Sequence, residues 1–535
     1  MEPRPGRARQ LGGGRRRPGP LHDAHGRVRV LGSAPWAAVR SAGGHAAAAV
    51  RRQARRLPAT PRCHADRVLA KDFSVDLRHC RLLGLAGSVV LAAGGETAGA
   101  LPVRELPSLA SGRAALGLVG VYFGVVLLVA AWALLGRVLR GPEPPGPRSL
   151  LVVLAVWATP LLLAPPLFSR DVYSYLAQGA MVDAHLDVYT HGPAILGGPL
   201  ADEVAPVWRR TATPYGPVFL AVASALSGLT RGEVPAGLFG MRVVALLGVA
   251  LMAASLPKLA RHSGADPAAA LWLGALNPLV LLHLVAGAHN DAIMLGLLGA
   301  GLVAALGRWP VLGAVLVTLA ALVKAPAVLG LAAVVALQAR AGRGLMKATV
   351  TTGAAALATT LGVTAAAGTG YGWIGALRTP VSPQNWSPTS VLGRATGALL
   401  RDLGSDLAPF ALPAWHALGL AVTAVAVLVI WLRRPRPSPV YALGLSLATV
   451  AVLGPAVRPW YALWGLFLIA AAAPSASVRH RMAAVTGALA LAVLPSGGPP
   501  DGEQLALAVS GGMLGLVVLW QAHRTSGTPV LGRAA

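Results

Sequence analysis

Long apolar stretches, separated by short polar or basic segments, occupy the chain from residue 82 to residue 522. Most hold roughly 15 to 23 residues, the length at which an α-helix crosses the hydrocarbon core of a bilayer. We count about fourteen, so the pattern predicts an all-α integral membrane protein with about 14 transmembrane helices. The stretches lie near 82–102, 116–136, 150–168, 238–258, 268–286, 290–307, 309–323, 325–340, 346–367, 413–432, 439–457, 459–474, 482–495 and 503–522.

Basic residues between these stretches predict the orientation, because cytoplasmic loops carry an excess of Lys and Arg. All basic clusters fall on one side if residues 215–229 form a helix along the outer surface instead of crossing the membrane. Both termini are then cytoplasmic, and the loops 169–237 and 368–412 are extracytoplasmic. Besides the N-terminal tail, the clusters are Arg137 with Arg140 and Arg148, Lys258 with Arg261, Arg340 with Arg343 and Lys347, Arg433 with Arg434 and Arg436, and Arg479 with Arg481.

Composition agrees with a lipid environment. Of the 535 residues, 55% are hydrophobic and 12% are charged, too few charges for a water-facing surface around so much apolar mass. The net charge of +26 could also indicate nucleic-acid binding. Because the basic residues fall in short clusters, without a continuous basic face and stacking aromatics, we expect no nucleic-acid partner.

The chain divides into three predicted parts. Residues 1–80 are rich in Arg, Gly, Pro and Ala and lack apolar periodicity, which predicts a disordered cytoplasmic tail or a translation start assigned too far upstream. Residues 81–522 form the transmembrane domain, and residues 523–535 form a second cytoplasmic tail. Cys63 and Cys80 have no metal-ligand spacing and indicate no function.

Polar residues concentrate at the predicted outer ends of the helices, where a lipid-facing bundle does not need them. Asp171 directly follows the third apolar stretch, and a partly desolvated carboxylate there suits a general base. Glycosyl transfer from a lipid-linked phosphate needs such a base for the acceptor hydroxyl and cations for the departing phosphate. The cations on the same predicted side are Arg170, Lys324, Arg378 and Arg458.

Further polar and aromatic residues on that side are candidates for binding an acceptor sugar. Residues 171–185 predict an amphipathic helix, and residues 187–193 follow it. The candidates are Tyr173, Tyr175, Asp187, Tyr189, His191, Tyr215, His289, Asn290, Asp291, Trp460 and Tyr461.

Each assignment has a structural alternative. Asp171 with Arg170 could form a helix cap and local ion pair. Tyr173, Tyr175, Trp460 and Tyr461 could belong to an interfacial aromatic belt, and Lys324 could extend to the membrane surface. Residues 187–193 also read as a simple turn, and residues 289–291 could cap the following span. His283, His289 and Asp291 match no standard metal-ligand spacing, so we expect no metal.

The motifs at these positions resemble the actinobacterial polyprenol-phosphate-mannose-dependent alpha-1,6-mannosyltransferases. The resemblance covers about residues 82–522, and its first motif is the most specific. The motifs are Phe168-Ser169-Arg170-Asp171-Val172-Tyr173-Ser174-Tyr175, Asp187-Val188-Tyr189-Thr190-His191-Gly192-Pro193, Thr213-Pro214-Tyr215-Gly216-Pro217, Asn277-Pro278 with Gly287-Ala288-His289-Asn290-Asp291, Val323-Lys324-Ala325-Pro326 and Arg458-Pro459-Trp460-Tyr461.

The resemblance implies a multi-spanning GT-C glycosyltransferase whose outer loops carry short juxtamembrane helices, with Asp171 as the base. It implies inverting transfer of mannose from polyprenyl phosphate mannose to a glycolipid alpha-1,6-mannan acceptor, in synthesis of the lipomannan and lipoarabinomannan core at the plasma membrane. No cofactor is expected. The alternatives are a transporter or flippase for a lipid-linked sugar, and a related enzyme that uses another polyprenyl-phosphate sugar; the charges gather at one predicted face rather than at the midplane typical of transporters.

Overall fold

The computed structural model describes residues 76–102, 112–376, 385, 387–435, 437–472 and 475–526, apart from the side chains of residues 525 and 526. The predicted tails therefore lie outside it, except for residues 76–80 and 523–526. Every regular element within the described ranges is helical, as the sequence predicts. The α-helices are α1 (Leu77–Ala98), α2 (Arg113–Val138), α3 (Pro147–Leu163), α4 (Asp171–Asp183), α5 (Gly198–Glu203), α6 (Pro206–Arg209), α7 (Pro217–Thr230), α8 (Val234–His262), α9 (Pro267–Gly274), α10 (Asp291–Leu306), α11 (Pro310–Val323), α12 (Gly330–Arg340), α13 (Leu345–Ala367), α14 (Gly372–Ala376), α15 (Pro388–Asp402), α16 (Ala411–Leu432), α17 (Pro439–Leu453), α18 (Ala462–Ala472), α19 (Ala476–Leu489) and α20 (Gly502–Ser526).

Five shorter elements complete the described chain. Four are 3-10 helices and one, Val280–Ala286, is a π-helix. The 3-10 helices are Pro193–Leu196, Ala325–Leu329, Ala408–Phe410 and Pro459–Tyr461.

Several helices have the length and apolarity of membrane spans, but the predicted count of about 14 is not confirmed. Among the described residues, five helical segments are long and apolar enough to cross a bilayer, and a sixth crossing is formed if the π-helix and α10, which meet at 107°, count as one broken span. Six further apolar helices are shorter. The five long segments are Arg113–Val138, Val234–His262, Leu345–Ala367, Ala408–Leu432 and Gly502–Arg524.

One of the predicted spans is interrupted by an asparagine and a proline. The predicted span 268–286 is interrupted at Asn277 and Pro278, where proline cannot donate a helical hydrogen bond and the Asn277 side chain accepts one from the Leu279 amide at 2.9 Å. The stretch therefore forms α9 followed by the separate π-helix. Apolar composition predicts burial whether a helix is continuous or broken, but it does not show where a break occurs.

The helix predicted at residues 171–185 is confirmed as α4, but its predicted amphipathic character is wrong, because residues 172–179 are all buried and α4 is enclosed on nearly every face. It packs against α7, the helix predicted to lie along the outer surface. The two backbones approach so closely that a Cβ on Gly179 would lie 2.2 Å from the carbonyl oxygen of Ala223. With 14 residues, α7 is about 21 Å long, shorter than the roughly 30 Å hydrocarbon core. Its placement outside the bilayer remains a prediction.

Glycines bring the first two described helices into direct backbone contact. A Cβ on Gly124 would lie 2.7 Å from the carbonyl oxygen of Gly87, and one on Gly94 would lie 2.7 Å from that of Gly117. Small residues at such crossings allow apolar helices to pack closely in a membrane. Helix α1 is therefore held against α2 by shape, with glycine required at each crossing point.

Replacing Gly124 with Ala should separate α1 from α2 and destabilise the protein by about 1–3 kcal/mol, the usual cost of overpacking. Gly120→Ala is the matched control, since its Cβ would meet only Gly94 Cα at 3.9 Å. Thermal unfolding in detergent would measure the stability of both purified variants. Equal unfolding temperatures for the two variants would contradict the crossing described here.

Candidate active site

Interruptions in the helices bring polar residues from four segments together. Asp171 begins α4, residues 287–290 join the π-helix to α10, Lys324 separates α11 from a 3-10 helix, and Arg458 precedes Pro459–Tyr461. Arg458 is extended, with φ −134°, as expected for a residue before proline. These breaks free side chains and backbone groups that a continuous helix would direct elsewhere.

A buried ion pair lies at the centre of the cluster. The Lys324 Nζ donates to both oxygens of Asp291, at 2.9 and 2.8 Å, and the Trp464 Nε1 donates to Asp291 Oδ1 at 2.6 Å. Asp291 is fully buried, and the Lys324 side chain is 13% exposed. A charge in an apolar interior is costly unless it is paired and hydrogen-bonded, and this arrangement provides both.

The contacts of Lys324 decide between two interpretations of this residue. Its ammonium lies 4.7 Å from the ring centre of Tyr461 and 5.4 Å from that of Trp464, within cation–π range. The interpretation in which Lys324 extends to the membrane surface is wrong, because the ammonium points inward to Asp291. Both oxygens of Asp291 already accept hydrogen bonds from Lys324 or Trp464, so its charge and its hydrogen bonds are used within the ion pair.

His289 is held beside Asp171. Its Nδ1 bonds to the carbonyl oxygen of His283 at 2.7 Å, and its ring packs against Trp460 with centroids 4.1 Å apart. Since a carbonyl can only accept, Nδ1 carries the proton, and in the neutral ring Nε2 is left as an acceptor. That Nε2 lies 3.7 Å from Asp171 Oδ2.

Several buried polar atoms in this region have no hydrogen-bond partner among the described residues. They include His289 Nε2, both amide atoms of Asn290 and the indole nitrogen of Trp460. Buried polar groups are nearly always satisfied, so such a concentration is typical of a place where a polar molecule binds. The Asp171 side chain, 22% exposed, lies at the edge of this group.

Asp171 is the first residue of α4, and its partner is not Arg170. The Arg170 guanidinium donates to the carbonyl oxygens of Leu101 at 2.6 Å and Glu203 at 3.0 Å, and it pairs with the Glu203 carboxylate at 3.2 Å. The predicted alternative of a local Arg170–Asp171 ion pair is therefore wrong. Arg170 therefore connects the start of α4 to Leu101 and Glu203, and its charge is balanced by the Glu203 carboxylate.

Charges of both signs converge on Tyr461. Lys324, Asp291, Arg458 and Asp171 all act electrostatically on its phenol group. The Arg458 side chain is half-buried and forms no ion pair with any residue that the structure describes. Of these four residues, Lys324 lies against the ring itself, with its Nζ 4.7 Å from the centre of the Tyr461 ring.

The segment that carries Arg458 is fixed by an amide. Asn385 Nδ2 donates to the carbonyl oxygen of Pro455, and Asn385 Oδ1 accepts from the Val457 amide at 3.1 Å. Sequence reasoning missed Asn385, because nothing local distinguishes it from other loop amides.

The predicted aromatic residues are mostly interior. Tyr173 is buried and donates to the Ala100 carbonyl oxygen at 2.7 Å. Tyr175 packs edge-on to Tyr215 and Phe219, with ring centroids 5.4 and 4.9 Å away. Since Tyr173, Tyr175 and Trp460 are buried within the protein, the interfacial-belt interpretation is wrong for these three.

Residues 187–193 form the turn that was the structural alternative for this segment. The Asp187 carboxylate accepts hydrogen bonds from the Tyr189 amide at 2.9 Å and from the Thr190 hydroxyl at 2.8 Å. The hydrogen bond from the Tyr189 amide is the main reason that the pKa of Asp187 is lowered. His191 is exposed and bonds with Thr190 at 2.8 Å. Tyr189 reaches inward, donating to the Tyr215 carbonyl oxygen at 3.2 Å. Arg378 lies outside the described residues.

Trp464 is the main site residue that sequence reasoning missed. It lies one helical turn after Trp460 and Tyr461, and its ring stacks on Tyr461 with centroids 4.1 Å apart. The spacing of three to four residues was the available signal, since such residues share a helix face. Within the described ranges, no group of three or more His, Cys, Asp or Glu side chains is arranged to hold a metal ion.

Comparison with known proteins identifies relatives over most of the chain. The family model described as "Alpha-(1->6)-mannopyranosyltransferase, N-terminal domain" matches residues 81–340, and that described as "MptB C-terminal domain" matches residues 389–521. No solved structure matches.

Curated relatives from three actinobacteria align over similar lengths. A Mycolicibacterium smegmatis protein named "Probable alpha-(1->6)-mannopyranosyltransferase" is 36% identical over 461 residues, 77% of this chain and 82% of the relative. "Alpha-(1->6)-mannopyranosyltransferase A" of Mycobacterium tuberculosis is 36% identical over 76% of this chain and 82% of its own. "Alpha-(1->6)-mannopyranosyltransferase B" of Corynebacterium glutamicum is 33% identical over 78% of this chain and 77% of its own.

Removing one partner of the buried ion pair should destabilise the protein strongly. We expect Lys324→Met to lower the free energy of unfolding by about 3–5 kcal/mol, because it leaves an uncompensated buried carboxylate. The double variant Lys324→Met with Asp291→Asn removes both charges and keeps an acceptor for Trp464, so it should recover much of that loss. Unfolding in detergent measures both variants. A double variant no more stable than the single one would show that the pair is not the cause.

Proposed function

Because the chain belongs to the alpha-(1->6)-mannopyranosyltransferase family, we propose that this membrane protein transfers mannose from polyprenyl phosphate mannose to an alpha-1,6-mannan acceptor. We place the reaction at the outer face of the plasma membrane, in synthesis of the lipomannan and lipoarabinomannan core. The observation that supports this most directly is the position of the Asp171 carboxylate, 3.7 Å from His289 and at the edge of a group of buried polar atoms that have no partner among the described residues.

The proposed step is a single displacement. The acceptor hydroxyl attacks the anomeric carbon of the donor mannose, and Asp171 takes the hydroxyl proton. The bond between that carbon and the phosphate oxygen breaks, and polyprenyl phosphate leaves with the electron pair. Attack opposite the leaving group inverts a beta-linked donor to an alpha product. The step needs no cofactor, since the leaving phosphate is stabilised by cations alone.

Arg458 is the best-supported cation for that phosphate. Lys324 already has its charge balanced by Asp291, and Arg170 has its charge balanced by Glu203. Arg458 has no such partner in the described part of the chain. Lys324 would help to stabilise the phosphate from its place in the site, and Arg378 stays a candidate for binding the phosphate.

We assign His289 a positioning role. Its Nδ1 is fixed by the His283 carbonyl oxygen, so Nε2 presents a lone pair beside Asp171 Oδ2. That lone pair would accept from a neighbouring hydroxyl of the acceptor sugar, which places the attacking hydroxyl against the Asp171 carboxylate. Asn290, whose amide atoms have no partner among the described residues, would hydrogen-bond another hydroxyl of the acceptor sugar.

Asp171→Asn should lower mannose transfer by about 10²–10⁴-fold, the usual contribution of a general base. Membranes carrying the protein would be incubated with radiolabelled polyprenyl phosphate mannose and a short alpha-1,6 mannoside. The matched control is Asp183→Asn at the other end of α4, where the carboxylate accepts from Ser224. Unchanged transfer by Asp171→Asn would remove this residue from the base role, and movement of labelled lipid without a new glycosidic bond would favour a transporter.

Replacing His289 separates positioning from packing. His289→Asn keeps a donor for the His283 carbonyl oxygen but loses the atom beside Asp171, whereas His289→Gln can return an amide oxygen to that place. We expect kcat to fall about tenfold or more in His289→Asn with little change in acceptor KM, and partial recovery in His289→Gln. Similar losses in both variants, or a change confined to KM, would contradict the positioning role.

A further inference from the structure

A separate cleft lies between α2 and α19, and no residue of the candidate active site lines it. Its volume is about 470 Å³, within the range of about 300–1,000 Å³ that ligand sites occupy. One wall is formed by Val129, Trp132 and Ala133 of α2 and the other by small residues of α19, among them Gly487; Trp272 closes the base. Apart from its rim the lining is apolar.

Trp132 of the wall and Trp272 at the base bond to each other in a way that hides their polar atoms. Trp132 Nε1 donates to the Trp272 carbonyl oxygen at 2.9 Å, and Trp272 Nε1 donates to the Trp132 carbonyl oxygen at 2.8 Å. Their rings stack with centroids 4.9 Å apart. Because both indole N–H groups are satisfied internally, the rings offer the cleft only hydrocarbon-like surface.

The charged residues of the cleft are confined to one end. Arg137 is in the last turn of α2, Arg140 follows that helix, and His480 is in the first turns of α19. From Arg137 to Val129 the helix rises about 12 Å, close to the roughly 15 Å depth of one leaflet of a 30 Å hydrocarbon core. The cleft thus combines a cationic end with an apolar trough about one leaflet deep.

Charge restricts what can occupy it. Arg137 and Arg140 are exposed, and neither guanidinium forms an ion pair with a residue that the structure describes. Among the described residues that line the cleft, none is acidic. The chain's own N-terminal 75 residues are rich in arginine, so this rim would repel them. The complementary occupant has an anionic head and a hydrocarbon tail.

We propose that the cleft is a specific site for one anionic phospholipid of the leaflet that faces Arg137 and Arg140. The phosphate lies among Arg137, Arg140 and His480, and an acyl chain lies along Trp132 and Trp272. The site is independent of the proposed transfer reaction, and it makes lipid composition a determinant of the folded protein's stability.

Native mass spectrometry of the full-length protein in detergent tests this directly. Dioleoylphosphatidylglycerol is compared with dioleoylphosphatidylcholine, which has the same acyl chains and no net charge. The wild type should retain one phosphatidylglycerol in preference to phosphatidylcholine. In the double variant Arg137→Gln with Arg140→Gln, affinity should fall about thirtyfold, since each cation near an anionic surface contributes roughly fivefold. Lys258→Gln with Arg261→Gln, on the same predicted side but outside the lining, is the matched control and should bind as wild type.

A second variant tests the trough and not the rim. A Cβ on Gly487 would lie 3.8 Å from the Trp132 ring and 3.9 Å from Val129, which is ordinary contact, so Gly487→Leu fills the cleft without a clash at its first atom. It should abolish retention of both lipids. The proposal is overturned if the wild type retains the two lipids equally, if the double arginine variant binds as the control does, or if Gly487→Leu still binds. It is also overturned if Gly487→Leu instead separates a dimer that holds no lipid, since the occupant would then be a second copy of the chain.

Discussion

The ion pair between Lys324 and Asp291 is the constraint on which the candidate site depends. Neither charge can be left alone in an apolar interior, and each is satisfied only if the break after α11 meets the start of α10. The bond from Trp464 then adds α18 to the same point. Because three segments must converge to satisfy one pair of charges, their relative positions are fixed with little freedom. Tyr461 and His289 lie on those segments and take their places as a result.

This arrangement also distributes charge within the site. Lys324 with Asp291 and Arg170 with Glu203 are close to neutral as pairs. Among the described charged residues of the site, what remains is a carboxylate at Asp171 and a cation at Arg458. In the proposed displacement the base acts on the attacking hydroxyl and the cation acts on the departing phosphate, on opposite sides of the anomeric carbon. One unpaired charge of each sign therefore suits group transfer.

Much of this could be predicted from the sequence, and the failures have physical causes. The helix at Asp171–Asp183 was predictable because the sequence pattern that favours it is local. The partner of Lys324 was not, since Asp291 lies 33 residues away and no local pattern links them. The number of spans is not confirmed, since apolarity persists through breaks such as Asn277-Pro278, where the sequence alone does not show that the helix is interrupted. Trp464 was missed because a tryptophan in an apolar helix usually contributes only to packing.

The two family models divide the chain between residues 340 and 389, yet the site crosses that division. Asp171, His289 and Lys324 lie in the first part, whereas Trp460 and Trp464 lie in the second. A hybrid that joined the amino-terminal half of one homologue to the carboxyl-terminal half of another would have to supply a matched carboxylate and indole across the seam. The two halves are therefore expected to diverge in step, as the subunits of an obligate heterodimer do, although a single polypeptide carries both.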